Sequence, residues 1–176
     1  MIDSIIIPYL LLIVVLIIAA IYDLLFHKIP NWLTYPAIFI GILYYISIKG
    51  IEGFLFSIGG IAVGIATLVI PYLLGGTGAG DVKLLGAVGG LLGPKGVFVA
   101  FILTSIVGGI YALILLIYHG YFKDIIKRYG SMLKAFIFTK RFIYIPSSHK
   151  KEKPKLCYGV AIALGTIIFI VFKVRF

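Results

Sequence analysis

Asp23 and Asp81 are set apart by what surrounds them. In "LIIAAIYDLLFHKIPN" Asp23 follows an apolar run of eighteen residues, Ile5 to Tyr22, and in "GGTGAGDVKLLGAVGG" Asp81 stands between a glycine-rich stretch and another apolar one. The other four carboxylates, Asp3, Glu52, Asp124 and Glu152, fall near the N-terminus or in loops and read as ordinary solvated charges. A carboxylate at membrane depth costs a few kcal/mol and marks a functional position by default. Two that converge, with no histidine cluster nearby, have a specific use. They share one proton, because both cannot ionise at short range. The ionised member takes a proton from water as that water attacks a peptide carbonyl. The neutral member hydrogen-bonds the carbonyl oxygen and then helps protonate the leaving amine. This is aspartic endopeptidase chemistry, and it calls for no metal and no cofactor.

The glycines fit that use better than they fit nucleotide binding. Gly75-x4-Gly80 imitates the start of a phosphate loop, but Asp81 occupies the place of the lysine and would repel phosphate. No G-x-G-x-x-G spacing suits a dinucleotide. What Gly78-Ala79-Gly80 supplies is a sharp turn and close backbone approach. Asp81 is then expected as a helix N-cap facing its neighbours. A helix start favours a carboxylate, whereas Asp23 lies near the C-terminal end of the first helix. On that ground Asp81 is expected to be the member more often ionised.

The elements that carry these acids are apolar. Of 176 residues 62% are hydrophobic, and mean hydropathy is +1.17, above a soluble domain. The expected fold is all-α: a polytopic membrane protein of about six transmembrane helices, forming one domain over residues 1–176. The segments are Ser4–Leu25, Leu33–Ile48, Phe54–Leu74, Val82–Leu92, Val97–Tyr118 and Leu156–Val174. The first lacks a basic n-region and a cleavage site, so it is read as a retained span rather than a signal peptide. The fourth, short and glycine-rich, is expected to pack inside the bundle. Cys157 is the only cysteine, which excludes an intramolecular disulfide and a multi-cysteine zinc site.

Charge supplies an orientation. With six crossings, Lys28, Lys83 and ten Lys/Arg residues between His119 and Lys155 share one side, against Lys49, Lys95, Lys173 and Arg175 on the other. The positive-inside rule puts the larger group, and both aspartates, at the cytoplasmic face of the plasma membrane, with both termini outside. Within the basic loop 119–155, Phe122, Ile125, Ile126, Tyr129, Leu133, Phe136 and Ile137 recur at helical spacing opposite Lys123, Lys127, Arg128 and Lys134. That pattern is an interfacial helix on anionic lipid headgroups rather than a nucleic-acid site.

The two blocks together resemble the type IV prepilin peptidases, membrane aspartyl proteases with a GxGD motif. Gly78-Ala79-Gly80-Asp81 is similar to that motif, "GDVKLLGAVGGLLG" resembles its continuation, and "YDLLFHKIPNWLTYP" resembles the family's other block. "CYGVAIALG" looks like a degenerate form of the C-terminal segment. The resemblance implies Asp23 and Asp81 as the catalytic pair, with Gly78, Gly80, Asn31 and Lys83 in supporting positions. It implies as substrate a single-span prepilin, pseudopilin or archaellin (preflagellin) precursor, cut after a short basic leader. The N-terminal region with paired cysteines that accompanies N-methyltransferase activity in large members is not matched, so the likeness is to short, peptidase-only forms.

Two rival readings use the same residues. Asp23 and Asp81 suit a proton or cation relay in a small transporter, although no inverted repeat stands out. In a non-catalytic assembly factor the glycines would serve packing alone. His27, in "HKIPN", reads as a solvated interfacial residue, Asn31 as a cap of the second helix, and Lys83 as a headgroup anchor.

Overall fold

The computed structural model describes residues 3–118 and 156–175, together with 130–132, 137 and 140. The basic loop 119–155, with its expected interfacial helix, lies outside the described residues apart from those five. Among the described residues all long elements are helices: α1 (Asp3–Phe26), α2 (Asn31–Leu73), α3 (Ala79–Tyr118) and α4 (Tyr158–Arg175). The chain forms two compact units, Met1–Gly108 with Cys157–Phe176, and Gly109–Leu156. The site lies in the first.

In α1, Leu12, Val15, Leu16, Ala19 and Asp23 are buried, at spacings of three and four that make one face of a helix. Leu10, Val14, Ile17, Ile21 and Leu24 are exposed on the other. A helix apolar all round needs an apolar solvent, and here the outward face is as oily as the inward one. Asp23 is therefore the next position along the inward stripe, which carries it into the bundle.

α2 and α3 run for 43 and 40 residues. Straight, each would reach about 60 Å, twice the hydrocarbon thickness of a bilayer. Each is broken at one glycine. Gly50 (φ 57°, ψ −132°) and Gly93 (φ 73°, ψ 177°) hold backbone conformations that a side chain would oppose. At the first break the chain doubles back, since a β-carbon added to Gly53 would overlap the Tyr45 carbonyl. Along a straight helix those residues would be about 12 Å apart. The Tyr45 and Phe56 rings close this hairpin, their centroids 4.8 Å apart.

The second half of α2 then packs antiparallel on the first half of α3. The Phe56 ring fills the space beside Gly93, Gly60 meets Gly89, and Gly64 meets the Leu85 carbonyl; a β-carbon at any of these four glycines would overlap its neighbour. Ser57 Oγ donates to the Gly90 carbonyl at 2.9 Å, and Tyr45 OH to the Leu91 carbonyl at 2.8 Å. Small residues allow this approach, so van der Waals contact and hydrogen bonds to main-chain carbonyls hold the helices together. Residues 84–93 are all buried, so this stretch is interior as expected. α4 lies antiparallel to α1, with Gly159 against Asp23 at one end and the Lys173 ammonium 6.0 Å from the Tyr9 ring at the other. Three helices, Ile6–Phe26, Asn31–Leu73 and Ala79–Tyr118, are long and apolar enough to cross a membrane.

Candidate active site

The loop 27–30 between α1 and α2, the loop 74–78 between α2 and α3, and the start of α4 meet at one end of the first unit. The loop before Asp81 divides its work residue by residue. Gly75 N–H donates to the Tyr72 carbonyl and Gly76 N–H to the Pro71 carbonyl, both at 2.9 Å, with Gly75 at φ 74°. This is the Schellman pattern that stops a helix. Two residues later the Gly78 carbonyl accepts from Asp81 N–H at 3.1 Å and starts α3. Gly78 is thus the cap position. Asp81 is the third helical residue, and its Oδ2 reaches back to accept the Gly78 N–H at 2.8 Å. This corrects the expectation that Asp81 itself is the N-cap: it forms the acidic half of a capping box.

Asp23 is held from much farther along the chain. Its Oδ2 accepts the Gly159 N–H at 2.8 Å, and the Val160 N–H bonds to the same carboxyl. Those donors belong to the first turn of α4, where N–H groups have no partner within the helix. Asp23 therefore caps α4 as an N-cap side chain would, but from another helix. Both aspartates now sit at helix starts, so the macrodipole gives no ground for calling one the more ionised. The sequence missed this because the contact joins positions 136 residues apart. "CYGVAIALG" was its only signal.

The two acids line one cleft. Asp23, His27, Lys28, Ile29, Gly78, Ala79, Gly80 and Asp81 surround a volume of about 220 Å³. Asp23 is 6% and Asp81 8% exposed, so each opens to the cleft from a largely buried position. Ile29 is wedged between two glycines. A β-carbon at Gly80 would lie 3.0 Å from Ile29 Cβ, and one at Gly159 3.0 Å from Ile29 Cδ1 and 2.9 Å from Asp23 Oδ2. Close approach is what these two positions require.

Asn31 and Lys83 meet beside the cleft rather than in it. Lys83 Nζ donates to Asn31 Oδ1 at 2.9 Å and lies 5.1 Å from the Tyr35 ring centroid. Pro30 holds the cap position of α2 and makes no side-chain cap, so Asn31 is the first helical residue and spends its amide on Lys83. The expected cap and the expected headgroup anchor are instead each other's partner, tying the start of α2 to the start of α3. His27 lines the cleft and ends α1 at φ 51°, with Nδ1 3.2 Å from Cys157 Sγ. Among the described residues no group of three or more His, Cys, Asp or Glu side chains is arranged to hold a metal ion.

Two main-chain-anchored carboxylates in one cleft, among helices apolar on every face, make an arrangement with few uses. The sequence profile described as the type IV leader peptidase family matches residues 10–113, more than half of the chain. The chain belongs to the type IV leader peptidase family. It is by that membership a peptidase, and its apolar helices make it a membrane one. The stretch that matches this leader peptidase profile contains Asp23, Asn31, Gly78, Gly80, Asp81 and Lys83, and ends before Cys157 and Gly159. No curated protein and no solved structure gives a match.

Proposed function

We propose that this leader peptidase is an aspartic endopeptidase in which Asp23 and Asp81 are the catalytic pair. The observation that carries the reading is their shared cleft, where each carboxylate accepts main-chain N–H groups at a helix start. Donors of this kind fix a carboxylate without titrating and without leaving the site. Between the two acids a water molecule is activated by the ionised carboxylate and attacks the scissile carbonyl. The protonated carboxyl stabilises the developing oxyanion and passes its proton to the leaving nitrogen.

The substrate we propose is a single-span precursor of the type IV prepilin or archaellin (preflagellin) kind, cut between a short basic leader and its apolar segment. Family membership supports this substrate class, and the charge pattern of the chain supports cleavage at the cytoplasmic face. The breaks at Gly50 and Gly93 support a reading with six crossings, in which both acids share the side of the basic residues. Methyl transfer is not part of the proposed activity.

The test is cleavage of a synthetic precursor by purified protein in detergent or lipid. Wild-type protein cuts it once at the leader junction, and Asp23→Asn and Asp81→Asn do not. Cleavage that persists in both variants overturns the catalytic assignment.

A further inference from the structure

The last turn of α1 is tied to α4 by a second set of contacts. The Asp23 carbonyl accepts the His27 N–H at 2.9 Å and the Cys157 thiol at 3.7 Å, and the same sulfur lies 3.2 Å from His27 Nδ1. Cys157 is buried and stands immediately before α4, in the cap position. Sulfur is a weak acceptor, and this thiol reaches two groups at the end of α1. The Gly159 N–H is thereby left for the Asp23 carboxyl.

His27 is the second anomaly. It occupies the left-handed conformation that follows a helix, a place where glycine is the ordinary residue and a β-carbon is a burden. A position serving the backbone alone would favour glycine. The imidazole is the feature that glycine lacks, and it meets Cys157. The contacts with His27 and with the Asp23 carbonyl are satisfied together when Nδ1–H donates to Sγ and S–H donates to the Asp23 carbonyl oxygen.

We infer that His27 and Cys157 form a latch that positions Asp23, holding the end of α1 in the register at which its carboxyl caps α4. They are positioning residues, acting through Asp23. The kinetic part of this inference rests on Asp23 being catalytic; the structural part does not.

Hydrogen exchange at the Gly159 amide reads the latch without any substrate. In the full-length protein that amide is protected, and His27→Gly and Cys157→Ala each speed its exchange at least tenfold, while exchange where Gly60 and Gly64 pack on α3 is unchanged. His27→Asn tolerates the left-handed backbone and keeps a donor near Nδ1, so it restores protection. Unchanged Gly159 exchange in both His27→Gly and Cys157→Ala overturns the latch. In the cleavage assay the same two variants lose about tenfold in kcat at unchanged KM, the double variant loses no more than either single one, and thermal stability of His27→Gly is not lowered. Full kcat in His27→Gly also overturns it. If wild-type protein cleaves no precursor, the proposed function fails, and the exchange arm alone decides the latch.

Discussion

At the scale of single residues the proposed site is two carboxyls whose position is expected to matter as much as their charge. Asn fills the volume of Asp but cannot exchange a proton, so Asp23→Asn and Asp81→Asn are each expected to abolish cleavage while membrane insertion continues. Asp→Glu at either position keeps the acid but moves it about 1 Å, which costs on the order of a hundredfold in kcat; single-turnover cleavage measures both effects. Near-normal rates in either Asn variant would refute the pairing. These two residues were legible in the sequence because acids are scarce in it, and because α1 presents Asp23 on the same face as Leu12, Leu16 and Ala19. What holds them was not. The Gly78 N–H is three residues from Asp81, yet spacing alone did not say which of the two is the cap. The Gly159 N–H is a tertiary contact, invisible to any local pattern.

At the scale of elements, glycines decide how closely the helices come together. Gly159→Ala improves an α4 position by helix propensity, by up to about 1 kcal/mol, but its β-carbon would stand 2.9 Å from Asp23 Oδ2. The expected outcome is a fall in kcat of at least tenfold with little loss of melting temperature. A variant of full activity would show that Asp23 tolerates a β-carbon beside its carboxyl. Gly60→Ala is expected to behave in the opposite way. Its β-carbon meets the Gly89 carbonyl, far from the acids, so it loosens the packing of α2 on α3 by about 1–3 kcal/mol. Denaturation in mixed micelles measures that loss, and the activity of the folded fraction is expected to persist. The helix boundaries expected from hydropathy fell near the observed ones at Gly50 and Gly93 because glycine punctuates there. The start of α3 came three residues earlier than the apolar pattern suggested, at Ala79, since a capping turn carries no hydropathy signal.

At the scale of the whole molecule, the outward faces of the helices are apolar, and the proposed orientation rests on the distribution of Lys and Arg. Single cysteines at Lys28 and Glu52, in a Cys157→Ala background, test that direction with a membrane-impermeant thiol reagent. Position 28 is expected to label from the cytoplasmic side only and position 52 from the outside only. Labelling of both from one side would remove the crossing by the first half of α2 and with it the six-crossing topology. The bond between Asp23 and α4 has one more consequence, and it concerns time. A ribosome makes α1 and the Gly78–Asp81 turn long before α4, so both acids enter the membrane while the N–H groups that fix one of them do not yet exist. On the proposed mechanism, a nascent chain holds the whole pair and no working site. The eighteen residues of α4 act as the arming step of the protease. A chain stopped before Tyr158 is expected to insert, to keep both aspartates and to cut nothing until α4 is supplied as a separate peptide.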